Sequence, residues 1–362
     1  MLVLLLVGLA LAATPTGALA QGNVWYVVTH SGTNILSFDT SGQPIVAPGE
    51  TTPWPVLTGA TLHDPRGFVV TPGGDLYLAN AFKNDSRILH FGPAAGATGA
   101  LLSRPCLGVF TQSTDSTQPN YSQGLQHPFN LVFGSDGNVY VANQGDPASN
   151  NSITRYYGPG CTDAGCTPGA PMPALVTGVP GTFIPPYSSA NPDGVQVVRD
   201  LVFGPDGHLY VADEAARAVR MYHGHTGAFI TDVVTHKDGL DTPVHLLVSG
   251  DVLYIGSSKK ERVGKKKKID VGKIMRYQFS SGAIDTVVAH GAGGLGAPSG
   301  MALDGDWLYV GSRTTQQILR FALDTGAPDA DNPFIGLDDD PEFITLLQIP
   351  DGPGATPGPC TD

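Results

Sequence analysis

The sequence contains no Gly-x-Ser-x-Gly elbow, no His-Glu-x-x-His pair and no phosphate-binding glycine loop. Their absence argues against serine-hydrolase, zincin and nucleotide-hydrolase chemistry of the usual kinds. Charge is scarce as well, with 14% of residues Asp, Glu, Lys or Arg and a net charge of −12. An acidic chain lacks the basic surface that neutralises phosphates, so nucleic acid is not expected as a partner. No stretch after Ala20 is apolar over the roughly 20 residues that a span needs, and no stable membrane insertion is expected. The four cysteines have neither Cys-x-x-Cys spacing nor adjacent histidines, which speaks against zinc.

What the chain has in quantity is Gly (47) and Pro (30), a composition suited to many short strands joined by turns. Residues 1–20 read as a secretory signal: an uncharged apolar run from Leu2 to Ala12, a break at Pro15, and Ala18-Leu19-Ala20 before cleavage. Lys and Arg are missing near Met1, leaving the terminal amine as its positive charge. The expected location is secreted, extracellular or periplasmic, where cysteines pair. Three pairings are possible; Cys161 with Cys166 would close a short loop and leave Cys106 for Cys360. Asn84, Asn120 and Asn150 head Asn-x-Ser sites, open to glycosylation in a eukaryotic source. The basic run Lys259, Lys260, Arg262, Lys265 to Lys268 and Lys273 reads as a solvated hairpin tip, with docking to an acidic polymer or surface as the alternative.

The stronger signal is a repeat. Six strands centre on a tyrosine, Tyr26, Tyr77, Tyr140, Tyr210, Tyr254 and Tyr309, each followed by a second strand starting at Ile35, Ile88, Ile153, Val219, Ile274 and Ile318. The offsets are 9, 11, 13, 9, 20 and 9 residues, so a fixed hairpin carries insertions of varied length. Successive tyrosines are 51, 63, 70, 44 and 55 residues apart, close to the roughly 40–50 residues of a propeller blade plus loops. A third strand enters at Pro65, Pro128, Pro243, Pro298 and Pro341, and at Val198 without proline. Proline at a strand's first residue costs no ladder hydrogen bond. Gly73-Gly74, Asp136-Gly137, Asp206-Gly207, Ser249-Gly250 and Asp304-Gly305 supply the tight turns. The N-terminal hairpin lacks its proline strand, and the C-terminal proline strand lacks its hairpin. Together they would complete one blade and close the ring. The expected architecture is all-β: a six-bladed β-propeller over residues 21–350, followed by a Pro/Gly-rich tail at 351–362. The Gly/Pro/Ser/Thr-rich segments 92–126 and 158–196 read as insertions over its faces.

Asn130-Leu-Val-Phe-Gly-Ser-Asp-Gly-Asn-Val-Tyr-Val-Ala-Asn143 and Asp200-Leu-Val-Phe-Gly-Pro-Asp-Gly-His-Leu-Tyr-Val-Ala-Asp213 resemble NHL-type propeller repeats. The chain from Gln21 resembles the wider group of six-bladed propellers containing gluconolactonase- and regucalcin-like enzymes, peptidyl amidating lyases and streptogramin B lyases. The resemblance implies the fold, and leaves open whether the chain is an enzyme. In gluconolactonase-like members a channel cation is held by Asn, Asp and Glu, with an Asn or Asp after the strand-entry proline. That position here reads Arg66, Phe129, Arg199, Val244, Ser299 and Glu342, of which Glu342 alone suits a cation. The next position reads Gly67, Asn130, Asp200, His245, Gly300 and Phe343, where Asn130, Asp200 and His245 would form a set for Ca2+ or another divalent ion. On a regular strand the two sets face opposite ways.

Arg66 and Arg199 would suit a carboxylate or phosphate on the axis, or pair structurally with Glu342. Since amidating and streptogramin-type lyases use channel histidines, the resemblance makes His63, His127, His223, His225, His236 and His290 candidates for a lyase role; their spacing fits loop positions better. Asn80, Asn143 and Asp213, after the tyrosine strands, read as turn-forming residues, and the acidic turns Asp329 to Asn332 and Asp338 to Asp340 as solvated. Two functions remain. One is an extracellular binding module, expected to be monomeric, for a protein, glycan or small molecule. The other is a channel-site, metal-dependent lactone hydrolase or a lyase built on Arg66, Asn130, Arg199, Asp200, His245 and Glu342. Convergence of three polar side chains in the channel would favour the enzyme, and an apolar or plugged channel the binder.

Overall fold

A computed structural model describes residues 23–46, 49–82, 85–94, 103–145, 151–175, 179–263, 267–348 and 360. The signal, Asn84, Asn150, Lys265, Lys266 and the tail apart from Cys360 lie outside the described residues. The chain is an all-β, six-bladed β-propeller. Blade 1 runs from the axis outward as Pro341–Gln348, Asn23–Thr29 and Leu36–Phe38, so the first and last strands pair antiparallel as the repeat count requires. Blade 2 is Pro65–Val70, Leu76–Phe82, Asp85–Phe91 and Arg104–Gln112, with Leu57–Thr58 added parallel at its edge. Blade 3 is Pro128–Phe133, Val139–Asn143, Ser152–Tyr156 and Thr182–Ile184, and blade 4 is Val198–Phe203, Leu209–Asp213, Ala218–Tyr222 and Phe229–Thr235. Blade 5 is Thr242–Ser249, Val252–Val263, Lys267–Gln278 and Ile284–Val288, and blade 6 is Pro298–Asp304, Trp307–Ser312, Gln317–Ala322 and Ile335–Gly336. Each inner strand packs beside the next, and Pro341–Gln348 packs beside Pro65–Val70 to close the ring.

Six apolar clusters fill the six gaps between blades, and side-chain alternation along each second strand explains how. The repeat tyrosines are at most 5% exposed, and each enters the gap toward the following blade: Tyr26 meets Phe68 and Leu78, Tyr140 meets Leu201 and Val211. Their flanking residues point the other way, so Trp25 and Val27 pack with Tyr309 of blade 6. Buried phenols need partners. Tyr140 and Tyr210 donate to Asp136 and Asp206 of their own hairpin turns at 2.9 and 2.7 Å, which is why an Asp-Gly turn precedes the tyrosine at fixed distance. Burial, and then the Asp136 charge, push the Tyr140 phenol up to about 12.

A second recurring device sets the strand entries. Side chains of Asn80, Asn143, Asp213, Ser257 and Ser312, three residues after the tyrosines, accept backbone N–H bonds from His63, Gln126, Gln196, Asp241 and Gly296 at 2.7–3.1 Å. Those donors lie one or two residues before each inner strand, so these polar side chains fasten one blade's exit to its entry.

Both disulfides form, Cys106 with Cys360 and Cys161 with Cys166. The short loop overlies one end of the channel, as expected of a face insertion. Cys106, however, stands in the outer strand Arg104–Gln112, because apolar residues there extend blade 2 rather than cover a face. Asn120 is also committed inward: its Nδ2 donates to Val109 and Phe110 carbonyls at 2.8 and 3.2 Å, which ties up the atom a glycan would need.

Candidate functional site

The inner strands are irregular where the candidates lie. Every one carries a register shift immediately after its entry, leaving an extra residue opposite its partner. Phe129, Arg199, Val244 and Glu342 are such extra residues, and Arg66-Gly67 and Ser299-Gly300 oppose a single partner each. A bulge re-aims consecutive side chains. The expectation that only one of the two candidate sets could face the axis is therefore corrected: Arg66, Arg199 and Glu342 from one set and Asn130 and His245 from the other line the same small cavity.

Asn130, Asp200 and His245 come together. Asp200, 1% exposed, accepts at Oδ1 from Asn130 Nδ2 at 2.5 Å and its neighbour Leu201 N–H at 2.7 Å. At Oδ2 it accepts from Leu246 N–H at 2.7 Å, and His245 Nδ1 lies 2.7 Å away. One carboxylate thus ties blades 3, 4 and 5 together. Gly67 and Gly300 are glycines for lack of room: a Cβ on Gly67 would lie 2.0 Å from Asn130 Oδ1, and one on Gly300 2.5 Å from the Ile344 nitrogen. As arranged the trio does not suit a cation, since nitrogen atoms take both carboxylate oxygens and Asn130 Oδ1 accepts from Leu131 N–H. No group of three or more His, Cys, Asp or Glu among the described residues forms a metal cage.

The strand-entry end of the channel is closed by charge. Arg66 pairs with Asp64 at 2.5 Å and Glu342 at 3.6 Å, and Arg313 and His30 reach Glu342 at 2.8 and 2.9 Å. Arg199 pairs with Glu214, and the Phe129 ring lies between Arg66 and Arg199, 5.3 and 5.0 Å from their guanidinium carbons. The space inside, about 20 Å³, is room for one water. Arg66 Nε, Arg313 Nε and Ser299 Oγ around it are buried without a hydrogen-bond partner.

His30, Asp64, Glu214 and Arg313 were missed in the sequence. His30, Glu214 and Arg313 each follow a repeat tyrosine by four residues, the one offset that could have revealed them. His127 also joins this end, its Nε2 3.2 Å from Asp64 Oδ2. His63, His225 and His236 are exposed and His290 pairs with Asp241 outside the channel.

The bond to Glu342 raises the His30 pKa above 6.5, outweighing burial and the Arg66 charge. Burial acts to raise Asp64, but the His127 bond and the Arg66 charge prevail and hold it below 3.8. His30 therefore stabilises the fold fully below pH 6.5 and loses that contribution as pH rises through its raised value; Asp64 contributes above 3.8 and loses it as pH falls through its lowered one. Melts of wild type and His30→Ala should differ most near about pH 6 and converge by about pH 9; a gap that persists there would count against the pairing with Glu342.

The opposite end opens into a funnel of about 1000 Å³. Phe68, Phe133, Phe203, Leu247, Met301 and Ile344 form its walls, Asn130 and His245 its floor, and the Cys161–Cys166 loop part of its rim. No Lys or Arg lines it among the described residues.

The fold and this axis define the class: a six-bladed propeller plugged by ion pairs at one end and open as an apolar funnel at the other. Among solved structures, it is similar to the nidogen/laminin complex (TM-score 0.54, 13% identity, covering 90% of this chain and 98% of that one). It is also similar to a Bacteroides fragilis protein provisionally assigned as a 6-phosphogluconolactonase (0.50, 17%, 93% and 100%) and to a Bacteroides caccae protein of unknown function (0.51, 10%, 90% and 99%). At these identities the likeness is one of fold. No family model and no curated protein matches the chain.

Proposed function

We propose that this chain is a small-molecule-binding propeller of an oxidising extracellular or periplasmic compartment. Its ligand is apolar in body and seated in the funnel, with a polar group at His245 and Asn130. The observation that carries this reading is the asymmetry of the axis: ion pairs plug one end, while the other offers an apolar cavity at the upper end of the usual ligand range with few polar groups at its base. Two disulfides support the compartment. A phosphorylated sugar, as in the name of the Bacteroides fragilis neighbour, fits poorly because the funnel presents no Lys or Arg.

A second reading, a hydrolase or lyase, draws on Asp200 and His245. A buried carboxylate at Nδ1 orients the imidazole and leaves Nε2 for proton transfer to a bound ligand. A metal-dependent version would require Asp200 to release its present donors.

The test is titration of an uncharged apolar fluorescent dye, N-phenyl-1-naphthylamine, into wild type and Thr345→Arg, which places a guanidinium in the funnel. Saturable one-site binding in wild type, weakened at least tenfold in the variant, is expected; equal binding in both would refute the funnel site. Ester and lactone screens with wild type and His245→Gln separate the readings, because turnover lost in the variant with dye binding retained would make the protein an enzyme.

A further inference from the structure

Blade 5 carries an arm that no other blade shows among the described residues. Its strands Val252–Val263 and Lys267–Gln278 stay paired well past Ser258, the last residue matched by the inner strand, and past Ile274, where the outer strand's pairing ends. Five further residues on the outgoing strand make a free two-stranded projection of roughly 17 Å. It rises from the plugged end, beside Arg199 and Arg313.

The charge of the arm is opposite to that of the chain. Residues 259–270 hold seven of the 20 Lys and Arg against two acids, a net of +5, while the rest of the chain carries −17. Lys273, at the base, is not part of this surface: it is 5% exposed, 3.3 Å from Asp241, and bonded to the Gly239 carbonyl. Among the described residues, Lys260, Arg262 and Lys268 are exposed. Lys260 has only Asp270 at 3.6 Å, and exposed Arg262 and Lys268 sit directly opposite one another with no acid within ion-pair distance among the described residues. Like charges across a ladder repel, so this pairing weakens the arm unless an external anion relieves it. The register also sorts the faces: Lys260, Arg262, Lys268 and Asp270 share one, and Lys259, Glu261, Val263 and Ile269 share the other, with Glu261 opposite Ile269. Val263 and Ile269 are 48% and 39% exposed.

We propose that this arm docks the protein, plugged end down, on an anionic lipid surface. Unrelieved cations call for a polyanion, and the two exposed aliphatic side chains on the other face of the same free end, where an end-on approach brings both faces to the surface, select among polyanions. A bilayer interface takes up apolar side chains together with basic ones, whereas an acidic polysaccharide gives Val263 and Ile269 nothing to enter. The funnel mouth would then face away from the membrane, open to its ligand.

The experiment is co-sedimentation of the full chain with vesicles of phosphatidylcholine alone or mixed with phosphatidylserine. Binding is expected to the mixed vesicles only, falling at least tenfold between about 50 and about 500 mM salt. Lys260→Ser with Arg262→Ser and Lys268→Ser should lose at least tenfold in affinity without a lower melting temperature, since these residues lie beyond the last pair with the inner strand. Val263→Trp provides an independent reading through a blue shift of its emission on mixed vesicles alone. Failure to sediment with mixed vesicles, undiminished binding by the triple variant, or an unshifted tryptophan would overturn the proposal. Retention on immobilised heparin with no vesicle binding would overturn it in favour of an acidic polysaccharide.

Discussion

Asp200→Ala is expected to lower folding stability by about 4 kcal/mol, the range for removing one member of a buried charged network and leaving its partners unsatisfied. The size follows from what the carboxylate does. It holds the Asn130 side chain of blade 3, the Leu201 N–H of blade 4, and the Leu246 N–H and His245 ring of blade 5, so one truncation leaves four buried nitrogens facing an empty space. Asp200→Asn should fall between, because one carbonyl oxygen is kept while the new amide group meets donors. Urea unfolding of the three proteins measures this, and a loss under about 1 kcal/mol for the alanine variant would mean that water replaces the carboxylate. The same variant should bind the dye less tightly than wild type, since the network positions the funnel floor.

That network was half legible in the sequence. Aligning the repeat by its strand-entry residues puts Asn130, Asp200 and His245 at one position in three successive blades, and Arg66, Arg199 and Glu342 one place earlier. Regular alternation then forced a choice between the sets, and alternation fails at the bulges. Nothing in a run such as Pro128-Phe129-Asn130 marks a bulge, because its cause is tertiary: six strands converge on an axis and must turn their entries out of the way. The blades themselves were legible because they rest on local rules. A tyrosine four residues after an Asp-Gly turn needs that aspartate, and apolar residues of opposite parity must fill the gaps on both sides. The plugged end was not, since His30, Asp64, Arg313 and Glu342 come from distant points in the chain and meet only when the ring closes. His30 and Arg313 stand at strand exits, four residues past a repeat tyrosine, where nothing local marks a residue as facing the axis.

Ring closure also decides the relative worth of the two disulfides. Cys106 and Cys360 are 254 residues apart in sequence, and the loop-entropy relation gives such a link about 5 kcal/mol, against about 2 kcal/mol for the five-residue separation of Cys161 and Cys166. Structure points the same way. Cys106 and Cys360 are buried in the cluster of Val24, Tyr26, Leu57 and Phe91 between blades 1 and 2, so their bond fastens the chain beyond the last strand to the blade beside the one where first and last strands meet. Among the described residues blade 1 has three strands where the others have four or five, so it has the least sheet to hold closure. Cys106→Ser with Cys360→Ser should therefore lower the melting temperature by about 8 °C, and Cys161→Ser with Cys166→Ser by about 3 °C. The short-loop variant should instead show its effect at the funnel rim, as weaker dye binding by a protein of nearly normal stability. Calorimetry of both double variants decides the matter: equal shifts would place the strength of the ring in its six apolar gaps, with the long disulfide adding little to closure.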